Sequence, residues 1–131
     1  MPAPCSYDYA VIRVVPRVER EEFVNVGVIV SCHERDFLEA RIELDEARVR
    51  MLDPGADVAT MRAHLETIPV ICAGGEAAGP IGKLTPRERF RWLTAPRSTI
   101  IQVSAAHTGR AEDPAAALER LLDAMVRTPK R

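Results

Sequence analysis

The hydrophobic pattern opens with Tyr7-Asp8-Tyr9-Ala10-Val11-Ile12-Arg13-Val14-Val15, a run rich in β-branched and aromatic residues that stops at Pro16 and predicts a first strand. Val24 to Ser31 predicts a second, with Gly27 inside it signalling a bulge or a close backbone approach. The charged residues 17–23 between them are too polar for a buried strand and too many for a two-residue hairpin, so a wide connection or one helical turn is expected. After the polar turn His33-Glu34-Arg35-Asp36, apolar and polar residues alternate with period two from Phe37 to Leu44, as in a half-exposed third strand. Three strands joined by short links predict an antiparallel meander.

From Asp45 the period becomes helical. Asp45 caps a short helix through Met51 or Leu52, and Asp53-Pro54 offers a cap and first-turn proline for a second helix. Val58, Met61, Leu65 and Ile68 give that helix an apolar face, which Pro69 is expected to end or kink. Residues 73–82 hold four of the seven glycines and predict a flexible loop. Thr85-Pro86-Arg87-Glu88 is a capping box that starts a helix running to about Leu93. Ser98 to Ala105 predicts a fourth strand that returns to pair with an earlier one. Asp113-Pro114 then opens a C-terminal helix striped by Leu118, Leu121, Leu122, Met125 and Val126. The expected fold is α+β, a mainly antiparallel sheet of about four strands with helices packed on one side, in a single domain over residues 1–131.

Composition narrows the class. With 47% hydrophobic and 28% charged residues, the chain has the balance of an ordinary globule that needs no disulfide or metal to fold. Cys5, Cys32 and Cys72 are odd in number and widely spaced, without a CxxC or Cys/His pair, so reduced thiols are expected. No apolar run reaches a membrane span, and Met1-Pro2-Ala3-Pro4-Cys5 lacks the regions of a signal peptide, which predicts a cytoplasmic protein without membrane contact. A net charge of -1 excludes a globally basic nucleic-acid binder, yet Glu34 to Glu66 is acidic and Lys83 to Arg97 basic.

Candidate chemistry is sparse. Gly82-Lys83 has Leu84 before Thr85 and alanine at position 77, so the glycine loop misses P-loop spacing and no cofactor is expected. His33, Glu34 and Asp36, together with His107, are the residues from which a metal-dependent phosphoesterase or nuclease would be built, though no fixed spacing joins them. Cys32 and His33, as strand neighbours, point to opposite faces, and Cys72 has no evident base, so neither is an expected nucleophile. Arg87 and Arg91 share a helical face near Arg89, Arg97, Phe90 and Trp92, a mixture suited to phosphates or an acidic partner. Nucleic-acid binding by residues 83–97 is a further reading. Arg13, Arg17, Arg20 and Asn25 form a second polar group, which fold closure would bring to Arg97.

Arg17-x-Glu19-x-x-x-Phe23-x-Asn25-Val26-Gly27-Val28, read with Arg97-Ser98-Thr99-x-x-Gln102 and His107, resembles a family of small bacterial proteins catalogued as domain of unknown function 3037, over nearly the whole chain. The resemblance implies no reaction. Its members often appear encoded beside kinases resembling the HipA toxin, which implies an accessory role with a HipA-like kinase as partner. Arg97, Ser98, Thr99, Gln102 and His107 match the family motif and are its implied recognition residues. A non-enzymatic interaction module is therefore the leading expectation.

Overall fold

Cys5–Val14 forms β1, the strand on which the rest of the sheet is assembled; a computed structural model describes residues 3–129. Val24–Cys32 (β2) and Phe37–Ile42 (β3) follow as an antiparallel meander. The two links are single 3-10 turns, Val18–Arg20 and His33–Arg35, closed by Glu21 (φ 59) and Asp36 (φ 51) in the left-handed region. Ile101–Val103 (β4) and His107–Ala111 (β5) both pair antiparallel with the other side of β1, giving the order β3-β2-β1-β4 with β5 farther along the same edge. The α+β class and the antiparallel sheet are as the pattern predicts.

The fourth strand is shorter than expected and β5 was not foreseen. A break at residues 104–106 divides one edge into two pieces, bridged by Ser104. Its backbone N–H donates to the Val11 carbonyl (2.9 Å), and its Oγ accepts from the Val11 N–H (2.9 Å). β5 lacks an apolar alternation because its outer positions are solvated and Gly109 lies against the Tyr7 ring, where a Cβ would come within 2.5 Å.

Helices cover both faces, which corrects the expectation of helices on one side. Glu46–Leu52 (α1), Val58–Ala73 (α2) and Pro86–Thr94 (α3) share a core with Ile12, Val14, Val24, Val26 and Ile29. Pro114–Met125 (α4) lays Ala117, Leu118, Leu121 and Leu122 on the opposite face, against Cys5, Tyr7, Val28, Val30 and Cys32. β2 is apolar at nearly every position because both faces are covered, whereas a half-exposed strand would alternate. No helix among the described residues is long and apolar enough to cross a membrane.

Three local expectations also change. The second helix is capped by Asp57, whose Oδ1 accepts from the Thr60 N–H (3.1 Å). Asp53-Pro54-Gly55 instead makes a turn, in which Asp53 Oδ1 accepts from the Gly55 N–H (3.0 Å). α2 runs through Pro69, since Leu65, Ile68, Ile71 and Cys72 are buried on both sides of it and their packing outweighs the proline cost of about 3 kcal/mol. Within the stretch 73–82 expected as a flexible loop, Ala73 still belongs to α2 and Glu76–Lys83 folds into 3-10 turns broken at Gly79, with Ala78 and Ile81 against the core. The capping box of α3 forms as predicted.

Candidate functional site

The site begins with a bulge. Across β1 and β2 Ile12 pairs with Gly27, but Arg13 pairs with Asn25, leaving Val26 unpaired between them. The extra residue reverses the facing of β2. Val28, Val30 and Cys32 point to α4, while Val24 and Val26 enter the other core. Asn25 therefore reaches the end of α4, where its Nδ2 donates to the Met125 carbonyl (3.0 Å). Gly27 is required there, because a Cβ would lie 2.6 Å from the Arg41 carbonyl oxygen and 2.9 Å from Ile42 Cδ1.

Arg13 shares its row with Gln102 of β4. Its guanidinium lies 4.2 Å above the Phe23 ring, and its Nε is buried without a hydrogen-bond partner among the described residues. Arg97 follows the end of α3 and closes it. Nη1 donates to the carbonyls of Leu93 (3.1 Å) and Ala95 (3.3 Å), and Nη2 to that of Trp92 (2.7 Å), satisfying orphan groups of the last turn. The same guanidinium sits 4.6 Å above the Trp92 ring. Thr99 Oγ1 donates to the Ile101 carbonyl (2.8 Å) and Gln102 Nε2 to that of Thr99 (3.0 Å), so the segment from Arg97 to Gln102 is a self-braced turn.

Arg13, Glu21, Phe23, Arg97, Ser98 and Gln102 thus line one depression of about 250 Å³, joining the first connection to Arg97. A second, largely apolar groove of about 260 Å³ lies beside it, between Ile68 and Ile71 of α2, Trp92, and Ile101 and Val103 at the sheet edge. Arg97 lines both. The aromatics beneath the two guanidiniums remain open to solvent, Phe23 at 46% and Trp92 at 40% exposure.

The remaining candidates are not gathered there. Arg17 pairs with Glu19 (3.7 Å) and Asp53 (3.8 Å) outside the depression, and Asn25 is held by α4. Arg87 and Arg91 are exposed on the solvent side of α3. Arg89 is buried and donates from Nη1 to the carbonyls of Ile71 (2.9 Å) and Cys72 (2.7 Å) and from Nε to that of Leu84 (3.2 Å). It closes α2 beside Gly74, whose φ of 74 and contact with this guanidinium exclude a side chain. Two cations of the basic segment therefore cap helices, which weakens a phosphate-tracking role for residues 83–97. His107 is exposed at the start of β5 opposite Tyr9, four positions along β1 from Arg13, with the two rings 5.4 Å apart.

His33, Glu34 and Asp36 are exposed on their turn, and no group of three His, Cys, Asp or Glu among the described residues is placed to hold a metal ion. The three cysteines are free and buried. Burial pushes the Cys72 thiol up to about 12, far from a nucleophilic range. Arg13 and Ser104 are the structurally active residues that the sequence signal undervalued: each is one polar residue inside an apolar run, the pattern of a buried group that needs a partner.

Fold and site together define an α+β protein with an arginine–aromatic surface at one sheet edge. The chain belongs to the family described as "Protein of unknown function (DUF3037)", whose sequence profile matches residues 9–126. Neither the curated proteins nor the solved structures give a match to this chain.

Proposed function

We propose that the protein is a non-enzymatic interaction module that binds a partner protein through the surface around Arg97, and that the partner is a HipA-like kinase. One observation carries the proposal: two guanidiniums, Arg13 and Arg97, lie over two exposed aromatic rings, Phe23 and Trp92, next to an apolar groove. Arginine and aromatic side chains dominate binding energy at protein interfaces, and stacked rings present area with little rotamer entropy to lose. The kinase identity rests on the family resemblance. In this site Arg97 and Trp92 anchor the contact, Gln102 and Ser98 supply hydrogen bonds, and Arg87 and Arg91 steer an acidic partner from the neighbouring helix face.

The test is co-expression with the HipA-like kinase of the same genome, followed by affinity capture through a moderate salt wash. Stoichiometric recovery of the kinase, lost in Trp92→Ala and retained in the remote surface variant Arg62→Ala, is expected. Recovery of the protein alone refutes the proposal.

A further inference from the structure

We infer that the depression between Phe23 and Arg97 is a carboxylate-binding site. The inference deepens the interaction module proposed above and rests on it, because it names the chemical group that the partner would place there.

The first ground is an unmet hydrogen-bonding capacity. Among the described residues the buried Arg13 Nε has no hydrogen-bond partner and no ion pair involves Arg13. Other arginines in the fold are partnered through Nε: Arg89 donates from Nε and Nη1 to three carbonyls, and Arg127 from all three nitrogens to Glu43 and Glu119. Leaving a charged donor desolvated and unpaired is costly, so a retained orphan of this kind marks a place where an acceptor arrives from outside.

The second ground is preorganisation. Phe23 fixes the plane of Arg13, and three main-chain carbonyls fix Arg97, so both forks are held before a ligand binds. Gln102, opposite Arg13 in the ladder, and the Ser98 hydroxyl line the same depression and supply neutral donors.

The third ground is charge. Two arginines, Arg13 and Arg97, and one acid, Glu21, line this depression, leaving one positive charge in excess among its lining residues. A carboxylate neutralises that excess, whereas a phosphate monoester, carrying nearly two negative charges at neutral pH, would be left with a surplus beside Glu21. A carboxylate also matches the planar two-donor edge of a guanidinium.

A local explanation competes. Among the described residues Asn25 Oδ1 is the other buried side-chain polar atom without a partner, and Asn25 is the cross-strand neighbour of Arg13. A modest side-chain rotation would let Arg13 Nε donate to Asn25 and leave nothing for a ligand.

The experiment follows the arginine Nε–Hε signals by two-dimensional ¹H–¹⁵N NMR on the full chain. Sodium acetate, sodium phosphate at pH 7.5 and sodium chloride are titrated at matched ionic strength. Saturable movement of the Arg13 and Arg97 signals with acetate, beyond that with chloride and tighter than with phosphate, is expected. Affinity should fall tenfold or more in Arg13→Leu, the loss of one charge-assisted pair, and measurably in Gln102→Leu, a partly exposed position that keeps the variant set informative if Arg13→Leu misfolds. N-acetylglycine and N-acetylaspartate amide then distinguish a chain terminus from an acidic side chain as the source. Acetate behaving like chloride overturns the inference, as does tighter binding of phosphate. An Arg13 signal that ignores acetate but shifts in Asn25→Ala overturns it in favour of the local pair. Kinase capture separates the two proposals: capture without acetate binding removes the carboxylate site alone, and failed capture removes the module.

Discussion

Replacing Gly27 with alanine tests the close strand approach beside the bulge on which the site is built. The added methyl would stand 2.6 Å from the Arg41 carbonyl oxygen, 2.9 Å from Ile42 Cδ1 and 3.1 Å from Ile12 Cδ1. The two isoleucine termini can turn aside. The carbonyl cannot, because Arg41 sits in the β2–β3 ladder opposite Val28 and moving it disturbs the pairing of residues on either side. Overpacking of a buried site against rigid backbone costs about 2 kcal/mol. For a chain of this length that is a fall in melting temperature of about 6–10 °C. Urea unfolding followed by far-ultraviolet circular dichroism and by the fluorescence of the single tryptophan gives the loss, with an unchanged m value showing that the unfolded state is not the cause. A loss under about 0.5 kcal/mol, the range of ordinary surface substitutions, refutes the claim that the strand contact requires glycine.

Arg89→Leu removes three charge-assisted hydrogen bonds and leaves the buried Cys72 carbonyl without the guanidinium donor, while Ile71 keeps only the Gly74 N–H, so a destabilisation of about 3 kcal/mol is expected by the same urea assay; a change under about 1 kcal/mol contradicts it. Cys72 should resist alkylation by iodoacetamide at pH 8 until the protein is unfolded, because burial raises its thiol to about 12; rapid labelling of the native protein, located by peptide mass spectrometry, contradicts this. Hydrogen bonding from Arg127 holds the Glu43 and Glu119 carboxyls below their ordinary 4.5, so their contribution to stability is complete above that value and is lost as pH falls through and below it. Arg127→Gln should flatten this acid limb in melting temperatures measured from pH 7 to pH 3, and an unchanged slope refutes the role of the pair.

The local grammar of the chain was legible where a few neighbouring residues suffice. The Thr85 capping box, the Asp45 and Asp113 caps and the apolar stripe of the last helix each concern groups three or four positions apart, whose meeting is dictated by helix geometry. Gly27 was legible as a bulge or a close approach: it makes the close approach, and the bulge falls on the adjacent Val26. Fold closure was expected to bring Arg13, Arg17, Arg20 and Asn25 to Arg97; of the four only Arg13 lines a depression with it, while the others are held by Glu19 and Asp53, Glu22 and the end of α4.

Other features had no local signature. Pro69 reads as a helix end, yet burial of Ile71 and Cys72 beyond it carries α2 onward. β5 has a polar pattern because it is an edge strand, and only its pairing with β1 makes it a strand at all. Arg89 and Arg91 look alike in a basic segment, but one is buried on the carbonyls of another helix and the other is solvated.

By itself, then, the sequence determined the α+β class, the meander, the capped helix starts and membership in the family, because strand and helix periods and cap motifs are properties of contiguous residues. The tertiary structure decided that both sheet faces are covered, which arginines close helices, and that Arg13 stands in a depression with Arg97. Each of those facts depends on long-range pairing, where burial and hydrogen-bond satisfaction are set by partners as much as 106 residues away in the chain, and no local pattern encodes such partners.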